Sequence, residues 1–97
     1  MKKGTGTATY FHGVQLAAQL LNQDGKHDEA EAVLRKVNFD SLRGSWRGTL
    51  SLALAETQKA AGRKKDALAT YQSIAADEAV QANQRQLAQD AIEALGK

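Results

Sequence analysis

The chain repeats itself. Gly25-Lys26-His27-Asp28-Glu29-Ala30 aligns with Gly62-Arg63-Lys64-Lys65-Asp66-Ala67, an offset of 62 − 25 = 37 residues. At the same offset Ala17-Ala18 meets Leu54-Ala55, Leu34 meets Tyr71, and Val37 meets Ile74. Each glycine follows an apolar segment of helical period and precedes another, so each unit reads as helix, tight turn, helix. A lone helical hairpin leaves its apolar face in water, so hairpins of this kind stack and share an interior. The repeat therefore predicts an all-α chain in which two helix pairs, turning at Gly25 and Gly62, lie side by side over one alanine-and-leucine core.

Composition agrees with helix. The apolar share is 42%, drawn mostly from Ala and Leu, and the chain has no proline and few aromatic residues. Both features favour helix over sheet. A length of 97 residues allows one domain with a modest core. Without cysteine there is no disulfide, no thiolate nucleophile and no thiolate metal site. The net charge of +2 says little about partners. No apolar run approaches the roughly 20 residues of a membrane span, and the basic start leads into no signal-like segment. The expectation is a cytoplasmic protein, unless the chain is cut from a larger, membrane-anchored one.

Residues 1–8, rich in Gly and Thr, read as a flexible leader, with the helical domain over residues 9–97. A first helix is expected from Thr9 to Gln23, with Tyr10, Val14, Ala17, Ala18 and Leu21 inward and Phe11, Leu16 and Leu20 widening the stripe. A second runs from Asp28 to Val37, its acids at the positive end of the helix dipole and Arg35-Lys36 at the negative end. Asn38 to Ser41 forms a linker in which Asp40 or Ser41 is the candidate N-cap. A third helix, Leu42 to Ala61, is apolar almost all round and belongs in the middle. Gly44 and Gly48 on it offer close approach to another helix. A fourth covers Lys64 to Ala76. A fifth opens at Asp77-Glu78 and ends at Leu95, with Val80, Gln84, Leu87, Ala88, Ala91 and Leu95 on one face. One apolar and one polar face suit a terminal capping helix.

These residues resemble the tetratricopeptide repeat family. Leu54-Ala55 stands at its large-small pair, Gly62 at its turn, Ala67 at its small packing position and Tyr71 at the aromatic four residues on; Ala18, Gly25, Ala30 and Leu34 match in the first unit. The resemblance implies a right-handed superhelix of helical hairpins with repeats over 9–38 and 42–76 and a capping helix over 78–95. The departures are definite. The family's period is 34, so three extra residues fall in the Phe39-to-Arg43 connection. Leu42 and Ala79 replace the closing prolines, and Val14 and Ser51 stand where the family often has tryptophan. The layout is also similar to the C-terminal part of a bacterial inner-membrane, translocon-accessory family with divergent repeats.

In the family, the first helices of the hairpins line a concave groove that receives a peptide. That implies His12, Gln15, Gln19 and Asn22, with Thr49, Leu52, Glu56 and Lys59, as partner-binding residues. The first four recur at three- and four-residue steps and make a polar stripe, which could equally be an ordinary solvated face. Amides both donate and accept, which suits a peptide backbone. The basic and asparagine clamp that grips a chaperone's terminal carboxylate is not matched, because Gln15, Gln19 and Glu56 occupy its places.

Other chemistry finds little support. His27, Asp28 and Glu31 sit within one helical turn, but a stable metal site wants more ligands and a supporting shell, so neither metal nor cofactor is expected. The chain has no nucleophile elbow, phosphate loop or HExxH sequence, and no small-molecule substrate or catalysis is expected. Arg43 and Arg47 flank Trp46, and Arg63-Lys64-Lys65 crowd the second turn, but Glu56, Asp66, Asp77 and Glu78 interrupt any basic stripe that nucleic acid would require. Trp46 is either the anchor of the third helix on the first hairpin or an exposed contact. The leading expectation is a protein-interaction module or assembly adaptor, with a homodimerising unit as the alternative and a nucleic-acid-binding domain behind both.

Overall fold

The computed structural model describes residues 3–39, 42 and 44–96. These form five α-helices: α1 Lys3–Gln23, α2 His27–Arg35, α3 Gly44–Ala60, α4 Lys64–Ala76 and α5 Ala82–Leu95. There is no strand among them. Each helix packs on the next, and α3 touches all four others, which makes it the central element. Among the described residues no helix is long and apolar enough to cross a membrane.

The two hairpin turns are the same object built twice. In the first, Gly25 N–H donates to Asn22 O at 3.0 Å and Lys26 N–H to Leu21 O at 2.8 Å. In the second, Gly62 donates to Lys59 O at 3.0 Å and Arg63 to Gln58 O at 2.9 Å. The glycines have φ of 78° and 84°. The residues that follow them, Lys26 and Arg63, share φ, ψ of −93°, 63° and −90°, 68°. This paired pattern is the Schellman cap, in which a left-handed residue satisfies the orphan carbonyls of a helix end; glycine takes that conformation without a Cβ penalty. Burial repeats as well. Ala18, Ala30, Leu34 and Val37 are buried, and so are Ala55, Ala67, Tyr71 and Ile74, each 37 residues on.

The helix limits differ from the sequence expectation by two or more residues at four ends, and by one at the start of α2 and the end of α3. α1 starts at Lys3 rather than Thr9, so the Gly and Thr residues there do not interrupt it; a per-residue cost of at most about 1 kcal/mol is a weak brake on a helix already formed. α2 stops at Arg35 because Lys36 and Val37 turn their N–H groups to Val33 O and Leu34 O, three residues back, tightening the last turn. α3 begins at Gly44, whose φ of 62° swings the chain into the helix, and Leu42 sits before it as a buried residue. α5 begins at Ala82 instead of Asp77. Asp77 Oδ1 accepts the Ala79 N–H at 2.9 Å and Val80 N–H bonds Asp77 O at 3.0 Å, so a local turn displaces the helix start. The candidate caps Asp40 and Ser41, and Arg43, lie outside the described residues.

The apolar interior is divided. One cluster gathers Val14, Ala18, Ala30, Leu34, Val37, Leu42 and Leu50, with Phe11, Trp46 and Leu54 against it. The other gathers Ala55, Ala67, Tyr71, Ile74, Val80 and Ala88. The expected single core is thus two, on either side of α3, which contributes to both. Trp46 packs 5.8 Å from Phe11, centroid to centroid, and anchors α3 on the first hairpin. Tyr10, Leu16 and Leu20, expected inward or beside the inward stripe, are 51%, 47% and 55% exposed. α1 is an outer helix that packs chiefly on α2 and α3, and these three side chains lie on the flank turned away from them.

Candidate partner-binding groove

Two depressions border α3. The first, about 530 Å³, lies between α1 and α3 and is lined by Gln15, Ala18, Gln19, Asn22, Gln23, Ala53, Glu56 and Ala60. The second, about 370 Å³, is lined by Leu52, Glu56, Lys59, Ala60, Tyr71, Leu87 and Ala91 on α3, α4 and α5. Glu56 and Ala60 on α3 border both, and the two depressions together make up the candidate groove. Alanine makes much of the floor, and amides and charges make the rim. Small residues there keep the helix surfaces low and leave room for a chain to lie between them.

Six of the eight residues expected from the sequence line this groove: Gln15, Gln19, Asn22, Leu52, Glu56 and Lys59. His12 is exposed on α1 and lines neither depression. Thr49 is turned toward α5, where its hydroxyl accepts a hydrogen bond from Gln84 Nε2 at 3.1 Å. Asn22 is already engaged within the fold. Its amide donates to Thr57 Oγ1 at 2.8 Å, and its carbonyl oxygen lies 2.8 Å from His27 Nδ1, which carries the proton between them. The sequence reading did not place Gln23, Tyr71, Leu87, Ala18, Ala53, Ala60 or Ala91 in this lining. Leu87 sits on the apolar stripe of α5, yet it is 55% exposed and projects into the groove. Only the seating of α5 against α3 reveals that.

Tyr71 closes the base of the second depression. Burial, and then the negative charge of Glu56, push its phenol above the ordinary range. The group stays protonated at neutral pH and remains available as a donor.

Behind the turns, a polar seam locks the hairpins together. Gln58, 1% exposed, donates to Glu31 Oε2 at 3.1 Å and accepts from Thr70 Oγ1 at 2.6 Å. Glu31 also pairs with Arg35 at 2.8 Å and with Arg63, and Arg63 reaches Asp28. The carboxylates considered above as partners of His27 for a metal are thus held by guanidinium groups. Among the described residues no group of three His, Cys, Asp or Glu is placed to hold a metal ion. Two of the three arginines considered for nucleic acid, Arg47 and Arg63, are engaged too. Arg47 bonds Asp77 at 2.7 Å and Phe39 O at 2.8 Å, and Arg63 belongs to the seam. Burial acts to raise the Asp77 carboxyl, but Arg47, the Ala79 amide and the charge of Arg85 outweigh it and hold it below the usual range.

The groove is lined by amides that donate and accept, one carboxylate, one ammonium, one phenol and a leucine pair, with small alanines between them. No protein-family model, no curated protein and no solved structure matches the chain.

Proposed function

We propose that the chain is a tetratricopeptide-like protein-interaction module that binds a segment of a partner protein in the groove across α1, α3 and α5, without chemistry on a substrate. The observation that carries this reading is Glu56, which with Ala60 borders both helix-bounded depressions and sets them side by side on α3. Its α1 half offers Gln15, Gln19 and Gln23, suited to a peptide backbone. Its α5 half offers Leu52, Leu87 and Ala91, suited to apolar side chains. The bond-for-bond identity of the turns at Gly25 and Gly62 supports the repeat architecture on which such grooves are built. Engagement of Arg47 and Arg63 inside the fold speaks for a protein partner over nucleic acid.

The experiment is a selection of displayed peptides on the immobilised chain, followed by binding of the selected peptides to groove variants. Leu87→Glu and the double change Gln15→Ala, Gln19→Ala should each keep native circular dichroism and weaken binding about tenfold or more. Equal binding to the wild type and both variants removes the groove from the account.

A further inference from the structure

From Gly4 to Gln23 the chain has no Asp, Glu, Lys or Arg. Each of the other four helices carries at least three such residues. This stretch makes up nearly all of an outer helix, α1. Among the described residues, three of the four large exposed hydrophobics, Tyr10, Leu16 and Leu20, lie on it. Depletion of charge, together with aromatic and aliphatic exposure, is the signature of an interface centre rather than of a solvated face.

The order of sizes on this flank says what fits it. Gly13, Leu16, Ala17 and Leu20 follow one another at three-, one- and three-residue steps, small, large, small, large. Gly13 is an open notch, since a Cβ built there would meet nothing within 4 Å. Inverting the helix about a point between Leu16 and Ala17 sets Leu20 over the notch at Gly13 and Leu16 against Ala17. An antiparallel second copy therefore presents large where the first is small at these four positions, with Tyr10 falling against Gln23. A two-fold interface also sets the patch as a whole against itself, so a patch of one net sign would repel its copy. α1 carries none of the four charged residue types beyond Lys3, so the pairing meets no like-charge repulsion along the flank. The two helix dipoles then run in opposition, which is favourable.

We infer that the outer flank of α1 is a self-association surface, and that two copies pair through antiparallel α1 helices with Leu20 of one seated at Gly13 of the other. The patch from Tyr10 to Gln23 is about 20 Å long and about 10 Å wide. That is less than the roughly 800 Å² per partner of a standard interface, so the dimer belongs to the weak, reversible class. The pairing leaves the groove rim at Leu87 free and shares only Gln23, at the end of the patch, with the groove lining, so failure of one reading does not carry the other with it.

The test is sedimentation equilibrium of the full chain from about 5 μM to about 1 mM, a range that spans weak association, on wild type, Leu20→Glu, Gly13→Leu and Leu87→Glu. The wild type should show reversible dimer at the upper concentrations. Leu20→Glu should weaken it about tenfold or more, at a position exposed enough to leave the fold intact. Gly13→Leu should separate association from folding: replacing a helical glycine raises helicity and thermal stability, yet the filled notch weakens the dimer by a similar factor. Leu87→Glu should dimerise as the wild type does. A wild type that is monomeric at every concentration overturns the inference, as does a dimer that Leu20→Glu and Gly13→Leu leave unchanged.

Discussion

Gln84 lies flat on Gly48. A Cβ built at Gly48 would stand 2.0 Å from Gln84 Oε1 and 2.4 Å from its Cδ. Gln84 is buried, and its Nε2 donates to Ser45 O at 3.2 Å and Thr49 Oγ1 at 3.1 Å, while Oε1 has no hydrogen-bond partner. The sequence suggested that Gly44 and Gly48 would admit a close helix. Gly48 does, and what it admits is one side chain of α5. Gly44, with φ of 62° and open space around it, serves the entry to α3 instead.

Gly48→Ala should therefore destabilise the fold by about 1–3 kcal/mol, because the displaced amide gives up hydrogen bonds in a dry site. A gain of up to about 1 kcal/mol in helix propensity works against that loss. The discriminating measurement is a urea-denaturation cycle with Gln84→Ala. In that background Gly48→Ala should turn neutral or stabilising, since nothing is left to displace. An equal loss in both backgrounds would show that Gln84 is not the obstacle.

The matched turns make a paired prediction. Gly25→Ala and Gly62→Ala each force a Cβ into the left-handed region, at φ of 78° and 84°, which costs about 1–2 kcal/mol. Because both caps use the same bonds, the two losses in thermal or chemical denaturation should agree within about 0.5 kcal/mol. A neutral outcome at one site would mean that its turn relaxes and that the two hairpins are not built alike.

Glu31 is the point where four polar side chains meet: Arg35, Gln58, Arg63 and, through Arg63, Asp28. Its side chain is 12% exposed. Glu31→Ala leaves buried Gln58 Nε2 without its acceptor and Arg63 without its main partner, a loss of about 2 kcal/mol. Asp28, whose side chain is 83% exposed, should matter little when changed to Ala. Denaturation midpoints that fall equally for both would contradict this ranking.

Acid should act on Asp77. Its folded carboxyl titrates below the ordinary value of 3.8, so the folded state holds the proton less tightly than the unfolded chain does. The contribution is then complete above that value and is lost as pH falls through the lower folded one. Thermal unfolding of wild type and Asp77→Asn from pH 7 to about pH 2 should show a gap at neutral pH that closes in acid. A gap that persists unchanged to about pH 2 would assign the effect to hydrogen bonding that the amide cannot replace, with no part for charge.

What the sequence determined by itself was local and periodic. The glycine turns, the helix type of each segment, the inward alanines at positions 30 and 67, and the polar stripe on α1 all follow from spacing within about 20 residues, where backbone propensity and side-chain direction decide the outcome. Helix ends were less legible, because Asp77 and Gly44 chose turn geometry over helix for reasons of local bonding that a period does not register. Tertiary structure alone decided everything that depends on a neighbour. Periodicity says that Leu16, Leu20 and Leu87 lie on or beside apolar faces, but not whether another helix arrives to cover them. Gln58 meets Glu31 across 27 residues and Gln84 meets Thr49 across 35. Contacts of that reach are fixed by how two hairpins and α5 seat on α3, and packing at atomic separation is a property of the assembled helices that no single segment carries.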